Sequence, residues 1–232
     1  MRQVAGGRRM WLAVLLTALL AAGCSANPAA DAEMRAVMSA LGPTPMVVGL
    51  ERRERWLLRG GPEPGQLSVA LDEGLPAVLA VAGSGEYSAG HWVNLHLLAV
   101  PYLTWRWKMA SHPGPFHPVR LAVGFADTGG ADGKMPEARR ELELVWSDKA
   151  LKRGFMDAAG DGRAARYVVR GGEEALGRQW EEGIDLVSLH DRAWPGVSTS
   201  RTRIVFVVVR AAAYDGPPPP PAALISDINL LR

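Results

Sequence analysis

The segment 102–109, YLTWRWKM, alternates apolar and polar side chains in a pattern that suits either a ligand site or a core. Because side chains along a β-strand point to opposite faces in turn, its residues divide into two sets. One set is Leu103, Trp105, Trp107 and Met109, and the other is Tyr102, Thr104, Arg106 and Lys108. Exposed indoles stack on sugar rings, with Arg106 and Lys108 orienting hydroxyl groups. The alternative is that Trp105 and Trp107 fill the core, and alternation alone does not decide between the two.

Paired carboxylates are the second candidate for chemistry. Acid–base hydrolysis of a glycosidic bond needs two carboxyl groups about 5–10 Å apart. Glu141 and Glu143 share one face of a predicted strand, and Asp127 and Asp148 end neighbouring strands. Such carboxylates on the outer side of a sheet are usually solvated, so we expect no catalytic site. The absence of GxSxG, GxGxxG and Walker patterns argues against serine-hydrolase and nucleotide sites.

Metal ligands follow no recognisable spacing in the sequence. His112 and His117 lie five apart in a proline-rich loop, and we expect both to be solvated. The alternative is a transition-metal site made of these two histidines and a remote carboxylate. The Asp- and Gly-rich segments 127–133 and 157–162 are predicted to be ordinary turns, because neither has a terminal Glu at calcium-loop spacing. No cofactor is expected, with a structural calcium as the alternative.

The N-terminal residues are typical of an exported bacterial protein. Three arginines precede the uncharged run 10–22, whose helix of about 20 Å is too short for a hydrocarbon core of roughly 30 Å, which indicates a signal peptide. Residues 20–24, LAAGC, resemble the bacterial lipobox, which implies cleavage before Cys24 and acylation of its thiol. Two or three acyl chains hold a protein on a bilayer. A plain secretory signal is the alternative, and residues 8–12, RRMWL, also resemble a twin-arginine export motif.

The charge balance excludes one class of partner. The 232 residues hold 26 Lys and Arg against 24 Asp and Glu, a formal charge of +2. Three of the arginines lie within residues 1–23, so the mature chain has 23 basic and 24 acidic side chains, a formal charge of −1. Proteins that bind nucleic acid normally present a basic face, so we expect no nucleic-acid partner. The single cysteine also excludes an intrachain disulfide and a zinc site built on thiolates.

The elements that position these residues are predicted to be strands. Short segments rich in Val, Leu, Trp and Tyr are separated by Gly, Pro and Asp. Without βαβ alternation, this pattern predicts one all-β antiparallel sandwich. We divide the chain into a signal peptide at 1–23, a lipidated tether and short helix at 24–44, and one sandwich domain at 45–232. The predicted strands are 55–59, 66–72, 77–82, 92–100, 102–109, 120–127, 141–146, 164–170, 179–186, 202–211 and 223–231.

Helix is expected at few places. Asp31 is placed as the N-cap of a helix of about two turns, which Gly42 and Pro43 end. The apolar run 202–211 predicts a strand buried on both faces. The prolines at 217–221 are expected to form a stiff surface connection to a closing strand. Short helical turns are expected near 136–140, 172–177 and 189–194.

Four segments have the order and spacing of one bacterial family: PYLTWRWK at 101–108, VRLAVGF at 119–125, LVWS at 144–147 and ISDI at 225–228. In these segments the chain resembles the family called domain of unknown function 3047. The resemblance spans roughly residues 45–232 and includes the strand 76–82 with its small-residue turn. It implies a jelly-roll sandwich related in shape to carbohydrate-binding and galactose-binding-like modules, with no established activity. The loop 110–118, ASHPGPFHP, departs from the acidic loop of relatives, so a site built on those carboxylates is not expected here.

Together these features predict a lipid-anchored cell-envelope protein whose sandwich binds a glycan or another envelope component. Ser25 after the cysteine resembles the outer-membrane sorting pattern of Gram-negative lipoproteins, so in a Gram-negative cell we expect the protein on the outer membrane, facing the periplasm. A weak Asp/Glu-dependent glycan hydrolase and a structural assembly lipoprotein without a small ligand are the alternatives. The predicted ligand-binding residues are Trp105, Trp107, Arg106, Lys108 and Trp146.

Overall fold

The computed structural model describes residues 28–40, 56–127, 137–158 and 162–232, and they form an all-β sandwich. The predicted jelly-roll-like class with few helices is confirmed. The described residues from Glu33 onward belong to one compact unit. The helices are α1 Pro28–Ala40 and α2 Leu186–Ala193. The strands are β1 Trp56–Arg59, β2 Leu67–Asp72, β3 Leu75–Val81, β4 Tyr87–His96, β5 Tyr102–Met109, β6 Val119–Ala126, β7 Arg140–Ser147, β8 Met156–Ala158, β9 Ala164–Gly171, β10 Trp180–Asp185, β11 Arg203–Ala211 and β12 Ala222–Leu231.

The strands are arranged in two sheets. The seven-stranded sheet has the order β1-β4-β11-β6-β7-β9-β8, and the five-stranded sheet has the order β10-β5-β12-β3-β2. Among the described strands every pair is antiparallel except β7 and β9, which run parallel. A parallel neighbour cannot be reached by a hairpin, so the chain makes a long crossover between Ser147 and Ala164. The predicted antiparallel sandwich thus contains one parallel pair.

All predicted strands are present, with ends shifted by up to five residues. The largest shift is in β4, which begins at Tyr87 because small residues let its first half pack tightly on β11. A Cβ on Gly90 would lie 2.3 Å from the carbonyl oxygen of Val207, so only glycine fits there. The sequence pattern does not predict β8, whose three residues are too few for an alternation to show.

The two helices differ from the prediction in their limits. α1 begins at Pro28, three residues before the predicted cap Asp31, and takes in part of the predicted tether. Proline suits the first helical turn, where its missing N–H has no partner to lose. α2 follows Asp185, whose carboxylate accepts hydrogen bonds from two backbone N–H groups of the first turn. Within the described residues, neither helix is long and apolar enough to span a membrane. Cys24 and the predicted stop at Gly42 lie outside the described residues.

Three smaller predictions have mixed outcomes. β11 is buried at 204–209, as the apolar run predicts. The turn expected at 172–177 is present as the 3₁₀ turn Glu173–Ala175, whereas Arg140 starts β7 instead of ending a helical turn. The prolines at 217–220 are exposed as expected. The closing strand that follows them, β12, lies in the middle of its sheet, between β5 and β3.

Three tryptophans occupy the interior of the sandwich. Trp105 and Trp107 of β5 are each 1% exposed, and Trp146 of β7 is fully buried. The ring of Trp107 packs edge-on against both, with centroids 5.3 Å from Trp105 and 5.8 Å from Trp146. Such edge-to-face pairs contribute about 0.5–1.5 kcal/mol each beyond the burial of their surface. Because β5 and β7 belong to different sheets, this cluster ties the two sheets together.

A buried ion pair joins the sheets beside these tryptophans. Glu182 of β10 is 5% exposed, and its Oε1 accepts hydrogen bonds from Trp107 Nε1 at 3.3 Å and from Arg170 Nε at 2.5 Å. Arg170 belongs to β9, and its guanidinium carbon lies 3.7 Å from the centroid of the Trp180 ring. A buried charge is tolerated only when it is paired and hydrogen-bonded, and both conditions hold here. The indole N–H of Trp107 is satisfied by the same carboxylate.

Replacing Glu182 with Gln tests the importance of this ion pair. The substitution keeps the shape and an acceptor for Trp107 but leaves the Arg170 guanidinium without its counter-charge between the sheets. We expect the free energy of unfolding to fall by about 3 kcal/mol. Urea denaturation followed by fluorescence measures the change.

The matched control is Glu181→Gln, one residue away on the exposed side of the same strand. It should change the free energy of unfolding by no more than about 0.5 kcal/mol. Equal effects of the two substitutions would contradict a special role for the buried carboxylate.

Candidate functional site

The outer face of the five-stranded sheet carries the polar set predicted on β5. Since Trp105 and Trp107 point inward, alternation directs Tyr102, Arg106 and Lys108 outward. Tyr102 is 47% exposed, and the side chains of Arg106 and Lys108 are 26% and 34% exposed. These three residues therefore line one accessible surface, together with Thr104 between them.

A polar pocket of about 240 Å³ opens on this face. It lies where the pairing of β12 with β5 shifts register between Ser226 and Asn229, which is a β-bulge. Asp227 in the bulge has a φ of +52°, in the left-handed region that Asp tolerates better than most residues. Bulges redirect side chains, and this one brings the Asp227 carboxylate onto Arg106. The pocket is lined by Thr104, Trp105, Arg106, Glu181, Asp227 and Asn229.

Hydrogen bonds hold the polar groups of the pocket in place. Arg106 Nε donates to Asp227 Oδ2 at 2.5 Å, and Nη2 of the same guanidinium contacts the same oxygen. Asn229 Nδ2 donates to the backbone oxygen of Asp227 at 2.9 Å. Glu181 is exposed and stands opposite Arg106 in the β10–β5 register. The pocket thus presents carboxylates, a guanidinium, an amide and a hydroxyl, which together suit a ligand rich in hydroxyl groups.

Lys108 makes an ion pair outside the polar pocket. Its Nζ lies 3.0 Å from Oδ1 of Asp72, a residue that is 5% exposed. Long basic side chains commonly keep the charged head at a polar partner while the methylene stem covers apolar surface. Here the stem borders an apolar depression of about 190 Å³. The depression is lined by Leu79, Lys108, Met109, Ala110, Gly177, Ala222, Ala223 and Leu224.

The tryptophans of the predicted site lie elsewhere. Trp105, Trp107 and Trp146 are core residues, so of the five predicted ligand residues Arg106 and Lys108 alone present side chains on the surface. Trp180 is half-buried, and its ring is covered by Arg170. Of the aromatic side chains that the structure describes, Tyr102 and Phe155 are exposed, at 47% and 55%. Tyr102 therefore presents an exposed aromatic ring on the opposite face of β5 from the indoles.

The carboxylates on β7 are ion-paired. Glu143 is 8% exposed, which contradicts the expected solvation. Its oxygens lie 2.9 Å from Arg120 Nε, 3.1 Å from Arg166 Nη2 and 3.4 Å from Arg210 Nη1. Glu141 accepts from the Nη2 of Arg210 at 2.9 Å. Both carboxylates of β7 are therefore held by guanidinium groups.

The two loop histidines are packed together, which corrects the expectation that both are solvated. The rings of His112 and His117 lie 4.9 Å apart at their centroids, and His117 is fully buried. Burial lowers the pKa of His117 to about 3, and the neighbouring His112 adds to this shift. The backbone N–H of Val119 donates to His117 Nδ1 at 3.0 Å. A neutral, buried His117 therefore anchors the loop between β5 and β6.

The described residues contain no group of three or more His, Cys, Asp or Glu that could hold a metal ion. The predicted calcium alternative at 127–133 lies outside these residues except for Asp127, whose Oδ1 accepts from Arg140 Nη1 at 2.6 Å. The segment 157–162 is likewise described only at its two ends. What the structure does show is that the Asp127 carboxylate is held by an arginine.

Four residues of the pocket are not among the predicted ligand-binding residues. Thr104 is placed on the polar face of β5 in the sequence, but Glu181, Asp227 and Asn229 come from other strands. The segment 225–228 contributes to the family resemblance without any assigned role. A register shift leaves no clear signal in a single sequence, because it depends on which strands become neighbours.

Comparisons with known proteins give a likeness of fold. No family model and no curated protein matches the chain. A family 12 xyloglucanase from Bacillus licheniformis is 11% identical with a TM-score of 0.40, over 80% of this chain and 89% of that one. An endoglucanase from Rhodothermus marinus is 10% identical with a TM-score of 0.41, over 70% and 84%. A family 11 carbohydrate-binding module from Clostridium thermocellum is 12% identical with a TM-score of 0.37, over 79% and 94%.

These similarities say nothing about what this chain binds. The β-sandwich itself is established by the strand pairing of this chain. The resemblance to the domain of unknown function 3047 stays a prediction, as does the lipobox at Cys24, which lies outside the described residues.

Acid sensitivity should follow from the buried His117. The pKa of His117 is about 3 in the folded protein and about 6.5 when unfolded. Between these values the unfolded chain takes up a proton that the folded chain does not. The contribution of His117 to the free energy of unfolding is therefore fully present above pH 6.5 and is lost as the pH drops toward 3. His117 contributes up to about 1.4 kcal/mol per pH unit to the slope of the free energy of unfolding against pH. His117→Gln should remove that part of the slope in urea denaturation.

His96→Gln, at an exposed position, serves as the control and should leave the slope unchanged. An NMR titration of the folded wild type observes the same group directly. A His117 ring signal that titrates near pH 6.5 would show that the imidazole is not buried as described.

Proposed function

We propose that the protein is a non-catalytic glycan-binding module whose site is the polar pocket at Arg106, together with Tyr102. The observation that carries this proposal is the set of fixed donors and acceptors in the pocket, next to an exposed aromatic ring on the same strand face. Sugar recognition needs both, because hydroxyl groups take directed hydrogen bonds and the C–H face of the ring stacks on an aromatic side chain. A flat assembly surface would not need a pocket of this polarity.

The geometry of β5 puts the two parts within reach of one ligand. Tyr102, Thr104 and Arg106 occupy successive outward positions, each about 7 Å from the next. Glu181 and Asn229, on the two strands that flank β5, complete the sides of the pocket. A sugar chain lying along β5 therefore meets the tyrosine ring first and the polar pocket next.

The charges of the pocket favour a neutral glycan. Two carboxylates, Glu181 and Asp227, face one guanidinium, Arg106, which already pairs with Asp227. A uronic acid would bring a further negative charge to a site with no uncompensated cation among its lining residues. Uncharged hydroxyl groups can instead donate hydrogen bonds to the carboxylates and accept hydrogen bonds from the guanidinium N–H groups.

The proposed location is the cell envelope, with the module held there by acylated Cys24. The support for this part is the sequence pattern at 10–24, where a short apolar run ends at the single cysteine of the chain. For a Gram-negative cell, Ser25 supports a position on the outer membrane, facing the periplasm. A membrane-held module of this kind would bring a glycan of the envelope to the bilayer surface without chemical change.

Tyr102→Ala tests the binding site. Loss of the stacking ring should weaken binding of cellotetraose, a neutral tetrasaccharide, by about tenfold, while Tyr102→Phe should retain affinity. Isothermal titration calorimetry gives the dissociation constants. Tetragalacturonic acid should bind more weakly than cellotetraose because of the carboxylates in the pocket.

The matched control is Phe155→Ala, since Phe155 is exposed but lies away from the five-stranded sheet. Asp227→Asn gives an independent test, because Asn also tolerates a positive φ and removes only the charge. It should lower affinity with little effect on folding. Absence of binding to any neutral glycan in a broad panel would overturn the proposal.

Cys24→Ala tests the anchor. The variant should lose incorporation of labelled palmitate and move from the membrane fraction to the soluble fraction, because the acylated thiol is gone. Ser25→Ala is the control and should keep both the label and the membrane association. A Cys24→Ala protein that is still processed at the same bond and remains on the membrane would contradict the lipobox interpretation.

A further inference from the structure

We infer that the glycan bound at the polar pocket carries N-acetyl groups, and that the apolar depression beside Lys108 receives an acetyl methyl. This inference rests on the proposed function and names its substrate class. It follows from the position, the volume and the charge of the second cavity relative to the first.

The two cavities are neighbours on the same sheet face. Arg106 lines the polar pocket and Lys108 lines the depression, and the two residues are consecutive outward positions of β5, about 7 Å apart. Their partners on β12 follow the same order, because Arg106 pairs with Ser226 and Lys108 pairs with Leu224. A ligand along β5 thus passes from polar to apolar surface over a distance comparable to one substituted sugar ring.

The depression has the size and lining for a small acyl group. Its volume is about 190 Å³, whereas a cavity of about 150 Å³ already admits benzene. The side chains of Leu224 on β12, next to β5, and of Leu79 on β3, the following strand, supply apolar walls. Moving a methyl group from water onto these walls is favourable because apolar surface leaves contact with solvent.

The charges around the depression argue against the other common sugar substituents. The ammonium group of Lys108 pairs with the buried Asp72, so its positive charge is already compensated and attracts a carboxylate, sulfate or phosphate less strongly. A free amino group would be placed against apolar side chains with no partner among the residues that line the cavity. A neutral acetamido group keeps its polar atoms at the rim and buries only the methyl.

Three tetrasaccharides with the same β-1,4 backbone test the inference. Cellotetraose carries hydroxyl groups at position 2, tetra-N-acetylchitotetraose carries acetamido groups, and its deacetylated form carries amines. We expect the acetylated compound to bind about tenfold or more tightly than cellotetraose, which is the range for one small apolar group in a hydrophobic pocket. The deacetylated compound should show no such gain.

Substitutions in the depression locate the preference. Leu224→Gln should abolish the gain from acetylation and leave the affinity for cellotetraose unchanged, and Leu79→Gln is a second variant with the same expectation. Leu58→Gln is the matched control, since Leu58 is 44% exposed on β1 of the other sheet. Circular dichroism and melting temperature confirm that each variant is folded.

The outcomes separate the inference from the proposed function. Equal affinities for cellotetraose and its acetylated counterpart would overturn the inference and leave glycan binding intact. Tight binding of the deacetylated compound would also overturn it, because charge would then be the cause. Folded protein that binds none of the three, nor any other neutral glycan, would overturn the inference and the proposed function together.

Discussion

The burial of Trp105 and Trp107 is the constraint on which the rest of the structure depends. A slip of one residue in the pairing of β5 would expose both indoles and bury Arg106 and Lys108. Burial of a large apolar side chain is worth about 1.5–3 kcal/mol, and an unpaired buried charge costs more still, so the register is strongly selected. Glu182 reinforces it by accepting the N–H of Trp107 while pairing with an arginine of the other sheet. The contacts that make the core therefore also direct the polar side chains of β5 outward.

The two sheets have outer faces of different character, and the difference has a physical cause. On the seven-stranded sheet, the ring of Phe206 lies across Gly124, where a Cβ would be 2.3 Å from its edge, and Trp92 packs against the same ring. Glu143 is surrounded there by three guanidinium groups. These described residues of that face are thus paired or covered by one another. The five-stranded sheet has Tyr102 and two cavities exposed to solvent, which is why we place the ligand on it.

The bulge at Asp227 illustrates how a local backbone irregularity creates a site in a regular sheet. Uniform pairing would leave the outward side chains of β5 and β12 in flat rows with no room between them. The shift between Ser226 and Asn229 opens a space and places a carboxylate against Arg106. A non-glycine residue with positive φ costs conformational energy, which the bonds to Asp227 offset. Strained residues of this kind occur preferentially at functional sites, consistent with the proposed role.

The sequence alone determined the all-β class, nearly every strand, and the two faces of β5, because strand alternation is a local property that packing then selects. It could not tell which face of β5 is buried, since Trp105 and Trp107 suit both a core and a sugar-binding surface. Tertiary structure decided that question by placing Trp146 opposite them. It also decided which strands became neighbours, and so brought Glu181, Asp227 and Asn229 to Arg106 from two other strands. These contacts join residues far apart in the chain, and no local pattern specifies them.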